Sequence, residues 1–141
     1  MRTMVPGRAT DLLAYRVRLT REPAAAAEAR RQVSAAICAW DVAADDDVVI
    51  LLTNELVTNA IKHTAGGPIT LGLRCARGHL RVDVHDTSPT LPALRAVPVD
   101  AEAGRGLALV AALSADWGCY RTPAGKVVYF TLALQGPHDG P

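Results

Sequence analysis

Aromatic residues are scarce in this chain: one Phe, two Trp and three Tyr among 141 residues. Half of the sequence is nevertheless hydrophobic, so the core has to be built from Leu, Val, Ile and Ala. An excess of charge of either sign is also missing. With 15 Lys and Arg against 14 Asp and Glu, the formal charge is +1. No global field therefore draws the chain to nucleic acid or to an anionic membrane surface. No apolar run approaches the roughly 18–20 residues that a membrane span needs. The stretch from Met1 to Asp11 has no apolar signal-peptide core, and the expected location is cytoplasmic. Cys38, Cys75 and Cys119 are odd in number and far apart, which excludes a disulfide framework and a Cys-x-x-Cys metal site. They are expected to act as small buried hydrophobes. Neither a P-loop nor a strand-linked Gly-x-Gly-x-x-Gly with a downstream acid is present, which excludes those two nucleotide sites. A chain of this length forms one domain around a single core.

What is present falls into a clear order. Residues 1–13 mix Pro, Gly, Arg and Thr without period and are expected to be a flexible tail. Tyr15, Val17 and Leu19 alternate with Arg16, Arg18 and Thr20, the pattern of a half-buried strand. Pro23 opens an Ala-rich segment through Trp40 with Ala29, Arg30, Val33 and Ile37 at helical spacing; proline suits a first helical turn. Asp45, Asp46 and Asp47 follow. Three adjacent aspartates can serve a metal, but the favoured reading is a helix N-terminus, where carboxylates cap free N–H groups and suit the dipole. An apolar helical pattern then runs from Val48 to His63.

The period next changes to two. Ile69–Cys75 and Leu80–His85 alternate around Ala76-Arg77-Gly78-His79, which reads as a β-hairpin. Asp86 to Ala103 carries Pro89, Pro92 and Pro98 with little periodicity, and a loop that long in a small domain is expected to be a lid or a disordered segment. Gly104-Arg105-Gly106 leads into a short apolar helix containing Leu107, Leu109, Val110 and Leu113. Asp116–Arg121 and Val127–Leu134 read as two closing strands, before a tail over 136–141. Helices and strands that do not alternate regularly point to an α+β sandwich, with helices on one face of a mixed, mostly antiparallel sheet.

The chemistry concentrates in residues 54–63, Asn-Glu-Leu-Val-Thr-Asn-Ala-Ile-Lys-His. On a helix, Glu55, Asn59 and Lys62 share one stripe, beside an apolar stripe begun by Leu52, Leu56 and Ala60. A carboxylate and an amide oxygen suit a hard cation such as Mg²⁺, and a lysine suits phosphate. Gly104-x-Gly106 lets the backbone approach phosphate oxygens at a helix start. Asp86 closes a strand, where its carboxylate can cap the strand end or accept a hydrogen bond from an exocyclic amine. The basic face of the first helix, with Arg30 and Arg31, reads either as a solvated surface or as a partner surface.

Glu55-x-x-x-Asn59-Ala60-x-Lys62, Asp86-x-Ser88 and Gly104-x-Gly106-Leu107, in this order, resemble the GHKL superfamily of histidine-kinase-like ATPase domains. The likeness is nearest to the small stand-alone bacterial anti-sigma-factor serine/threonine kinases, and it runs from Tyr15 to Leu134 over an expected domain of residues 14–135. The resemblance implies a two-layer sandwich of the Bergerat type and the cofactors ATP and Mg²⁺. It further implies that Asn59 coordinates Mg²⁺, that Glu55 is the general base and that Lys62 touches the phosphates. Asp86 and Ser88 would form the adenine-side turn, Gly104, Arg105, Gly106 and Leu107 the phosphate-side turn, and Thr131 would sit beneath the adenine. Ser88 stands where the family usually has Gly, and its Cβ disfavours a positive φ there. The partners implied are a sigma factor and an anti-sigma antagonist protein, with a homodimer as the assembly. Two functions follow: a kinase that phosphorylates a serine or threonine of the antagonist, or a nucleotide-controlled binding module with little or no transfer.

Overall fold

The computed structural model describes residues 2–5, 13–20, 24–64, 67–91 and 102–134, of which 2–5 and 102–106 are described by backbone alone. The alternation around Tyr15 becomes strand β2 (Leu13–Leu19), with Tyr15, Val17 and Leu19 inward and buried. The hairpin forms as expected from β3 (Ile69–Ala76) and β4 (His79–Asp86). Its two turn residues, Arg77 and Gly78, both have positive φ, 53° and 78°, the backbone that a two-residue turn needs to match strand twist. The closing pair is β5 (Asp116–Thr122) and β6 (Gly125–Ala133).

Arg2–Val5, expected within a flexible tail, is strand β1 and pairs with β2 from Arg2↔Val17 to Val5↔Ala14. Four residues without alternation carry no strand period, and the pairing comes from the open edge of β2. Among the described residues one six-stranded sheet results, in the order β1-β2-β3-β4-β6-β5. Every pairing in it is antiparallel. The expected lid falls largely on residues 92–101, and most of the expected C-terminal tail on 135–141; both lie outside the described residues.

Helix α1 (Ala24–Trp40) buries Ala25, Ala29, Val33, Ala36 and Ile37 on one stripe. Small alanines let it lie close to α2 (Asp46–His63). Helix α1 stops where Asp41 turns left-handed at φ 53°. There the Val42 N–H bonds the Ile37 carbonyl and the Asp41 N–H bonds that of Cys38, a six-to-one and five-to-two closure that satisfies the last carbonyls. The three aspartates behave as a helix start: Asp45 is the N-cap, accepting from the Val48 N–H at 3.2 Å, with Asp46 and Asp47 in the first turn.

Helix α2 packs on α1, on α3 (Glu102–Leu113) and on β3, β4 and β6. The helices and the inward phases of the strands enclose Leu52, Leu56, Val57, Leu71, Leu73, Val82 and Phe130, all at most 1% exposed. Burial of each such side chain contributes about 1.5–3 kcal/mol. The cysteines depart from expectation, since Cys38 is exposed and Cys75 and Cys119 are half-buried; none forms a disulfide. Cys38 follows Ile37, whose position faces the core, and so turns away from it. Among the described residues no helix is long and apolar enough to cross a membrane.

Candidate functional site

The end of the sheet where β4 meets β6 holds two of the expected polar residues, Asp86 and Ser88. Asp86 closes β4 in the inward phase of Leu80, Val82 and Val84, and its register partner on β6 is Lys126. Their side chains are only 1% and 0% exposed. The Lys126 ammonium donates to Asp86 Oδ1 at 3.0 Å and lies 2.9 Å from Oδ2. The buried ammonium thus engages both carboxylate oxygens. The Ser88 N–H donates to Oδ1 at 2.8 Å, which folds Asp86-Thr87-Ser88 into a turn held by its own carboxylate. Ser88 is not among the residues with positive φ, so this turn does not need the glycine that the family usually places there.

Two glycines bring neighbouring elements against that turn. A Cβ on Gly67, just beyond α2, would lie 2.1 Å from Thr87 Oγ1. A Cβ on Gly125, at the start of β6, would lie 2.0 Å from the Asp86 carbonyl oxygen. The connection after α2, the end of β4 and the start of β6 therefore meet at one place.

Helix α2 carries the other expected residues, Glu55, Asn59 and Lys62. Asn59 is near its C-terminal end, and its Oδ1 is buried without a hydrogen-bond partner among the described residues. A buried amide oxygen left without a donor is costly, and a hard cation would satisfy it. Among the described residues no group of three or more His, Cys, Asp or Glu could hold a metal. A single amide oxygen is a donor that suits Mg²⁺, which takes few protein ligands and completes its shell with water and substrate phosphates. Glu55 lies one turn earlier and is half-buried. Next to it, Asn54 accepts from Arg30 Nη1 at 2.6 Å, fixing α1 to this part of α2. Lys62, on the same stripe, is exposed.

The remaining expected residues divide. Helix α3 begins at Glu102, so Gly104, Arg105 and Gly106 lie within its first turns rather than ahead of it; Glu102 and Ala103 are good helix formers. The Gly104, Arg105 and Gly106 side-chain positions lie outside the described residues. The last turn of α3 is tied to the far end of β6, where the Ala115 N–H bonds the Thr131 carbonyl. Leu107 is 4% exposed and belongs to the core.

Thr131 does not join Asp86. It pairs with Arg81 and Asp116, on the outward phase and five residues along β6 from Lys126. Lys126 holds the place beside Asp86 instead, and no reading of residue types had singled it out. Its signal was phase, because Lys126, Val128, Phe130 and Leu132 form one alternating set and Phe130 is fully buried.

The outward face of the sheet carries a separate network. Asp83, 6% exposed, meets His85 Nε2 at 3.0 Å and Arg81 Nε at 3.4 Å. Burial pushes its carboxyl up, but the His85 hydrogen bond and the charges of His85, Arg81 and Arg16 outweigh it and leave the pKa below its ordinary value. Arg81 also stacks on Tyr129 at 4.1 Å. A cleft of about 420 Å³ lies here, lined by Ala14, Tyr15, Arg16, Gly72, Leu73, Arg74 and Asp83. None of the Asp86 or Asn59 chemistry faces it.

Residues 19–132 match the family described as the histidine kinase-like ATPase domain. An uncharacterised protein of Streptomyces coelicolor is 43% identical over 89 residues, covering 60% of this chain and 85% of the relative.

Proposed function

The chain belongs to the histidine kinase-like ATPase domain family, and we propose that it is an ATP-binding regulatory protein with protein serine/threonine kinase activity. Its substrate in this reading is an antagonist of an anti-sigma system, and its second ligand is a sigma factor that it sequesters. The observation that carries the nucleotide part is the Asn59 Oδ1, buried and unpartnered among the described residues, on the helix that also holds Glu55. The partners rest on the likeness of the three ordered motifs to anti-sigma-factor kinases.

Mg²⁺ held at Asn59 would neutralise phosphate charge, which is most of what phosphoryl transfer asks of a protein. Glu55 takes the proton of the acceptor hydroxyl. The hydroxyl oxygen then bonds to the γ-phosphorus, and the bond from that phosphorus to the β–γ bridging oxygen breaks, releasing ADP. Glu55 is half-buried and one turn from Asn59, which supports giving the two residues different roles.

The second reading, a nucleotide-controlled binding module with little or no transfer, draws support from Lys62, which is exposed rather than turned into the site. Single-turnover transfer from labelled ATP to a candidate antagonist separates the two. On the kinase reading, Glu55→Gln leaves nucleotide affinity nearly intact and slows transfer by about 10²-fold or more. Loss of affinity without loss of rate would make Glu55 a ligand. Absence of transfer by the wild type to every candidate antagonist would leave the binding module.

A further inference from the structure

The outward face of the sheet carries a charge imbalance that its own packing does not explain. Arg16, Gly72 and Asp83 stand in one row across β2, β3 and β4, and Ala14, Arg74 and Arg81 stand in the next. Asp83 pairs with Arg81 and His85, and Arg81 reaches over β6 to stack on Tyr129 and to donate to the Tyr120 hydroxyl. Arg74 lies directly opposite Arg81, and Arg16 lies diagonally from Arg74. Both are exposed, and neither has an ion pair or hydrogen bond among the described residues. Like charges directly opposite across two strands destabilise a sheet, so the fold gains nothing from placing Arg74 there. The two guanidinium groups border the cleft of about 420 Å³, to which Ala14 and Gly72 add almost no side chain and in which Asp83 is the acceptor. That volume is within the usual range for a small-molecule site.

We propose that this cleft is a second ligand site, separate from the nucleotide end, and that it takes a small hydroxylated phosphate monoester of the sugar-phosphate class. Arg16 and Arg74 hold the phosphate group. Each guanidinium offers a planar fork of N–H donors that matches phosphate oxygens, and the two positive charges balance a phosphate dianion. Asp83 accepts hydrogen bonds from the hydroxyl groups of the carbon body. Because Arg81 and His85 already compensate its charge, the carboxylate leaves Arg16 and Arg74 to the ligand. The site is independent of whether the protein binds ATP.

The test titrates the full chain with ribose 5-phosphate, inorganic phosphate and ribose at low ionic strength, followed by amide NMR. Ribose 5-phosphate is expected to shift the amides of residues 14–16 and 72–74, and to bind more tightly than either of the other two. Arg16→Gln and Arg74→Gln are each expected to weaken it about tenfold or more, the worth of a charge-assisted contact. Arg74→Gln, which relieves the charge opposite Arg81, should be at least as stable in urea as wild type. Absence of any shift with ribose 5-phosphate overturns the inference, as does binding that survives both substitutions or ribose that binds as tightly as its phosphate. Shifts confined to α2 and lost in Asn59→Ala would place the phosphate at the nucleotide end, which overturns the second site while supporting the first. A clear loss of stability in Arg74→Gln would make that arginine structural and overturn the inference equally.

Discussion

Replacing Lys126 by Met should cost the fold more than any other single change at this end of the sandwich. The substitution removes the ammonium and leaves the Asp86 carboxylate, 1% exposed, with the Ser88 N–H as its one remaining donor among the described residues. Breaking a buried ion pair from one side costs about 3–5 kcal/mol, because the surviving charge is neither paired nor solvated. Domains of this kind have about 5–15 kcal/mol in all. With a urea m-value of about 2 kcal/mol/M, the midpoint should fall by roughly 2 M. Trp117 reports the transition, since it is half-buried on β5 opposite the fully buried Phe130. The control is the double variant Asp86→Leu/Lys126→Met, which removes both charges and should lie within about 1 kcal/mol of wild type. A single variant that is itself within about 1 kcal/mol of wild type would refute the reasoning. The Asp86 end would then be far better solvated than its exposure indicates.

Acid should weaken the fold through Asp83. Because its folded pKa is lowered, its contribution is present above the unfolded value near 3.9 and is lost as the pH falls through the lower folded value. Stability measured from about pH 5 to pH 2 should fall less steeply in Asp83→Asn, and an unchanged slope would contradict the assignment. Alkylation should distinguish the cysteines: Cys38 is exposed, whereas burial raises the thiols of Cys75 and of Cys119, the latter partly offset by the Lys126 charge. Mass spectrometry should find Cys38 modified first, and equal rates at the three sites would argue against this packing. Gly125→Ala places a methyl 2.0 Å from the Asp86 carbonyl oxygen, and the forced shift should destabilise by about 1–3 kcal/mol. A Gly125→Ala protein as stable as wild type in urea would show that the β6 start does not press on that turn.

Elements with a strong local period were legible. Alternation at Tyr15, Val17 and Leu19 marked β2, and Arg77-Gly78 marked the hairpin because its turn requires positive φ. Asp45 marked the start of α2 by capping. Strand β1 was hidden because its four residues gain their order from β2 rather than from a pattern of their own. The site shows the same division. Asn59 and Glu55 could be read from helical spacing on one segment. Thr131 came from the family resemblance alone, and the two-residue period of β6 places it outward with Tyr129. Lys126 was visible in that same period, but its partner Asp86 is forty residues away and only the β4–β6 register joins them. The Asp83 network was out of reach for a similar reason: it depends on β3 placing Gly72 opposite Asp83, where a Cβ would lie 2.4 Å from the carboxylate.

On the proposed function, Asn59 holds Mg²⁺ beside a bound nucleotide. Titration of ATP by calorimetry, with and without Mg²⁺, into wild type and Asn59→Ala tests it directly. Wild type is expected to bind ATP more tightly with Mg²⁺, and Asn59→Ala to lose about tenfold or more of that metal-dependent affinity. Failure of wild type to bind ATP, or a metal dependence that survives intact in Asn59→Ala, would contradict it.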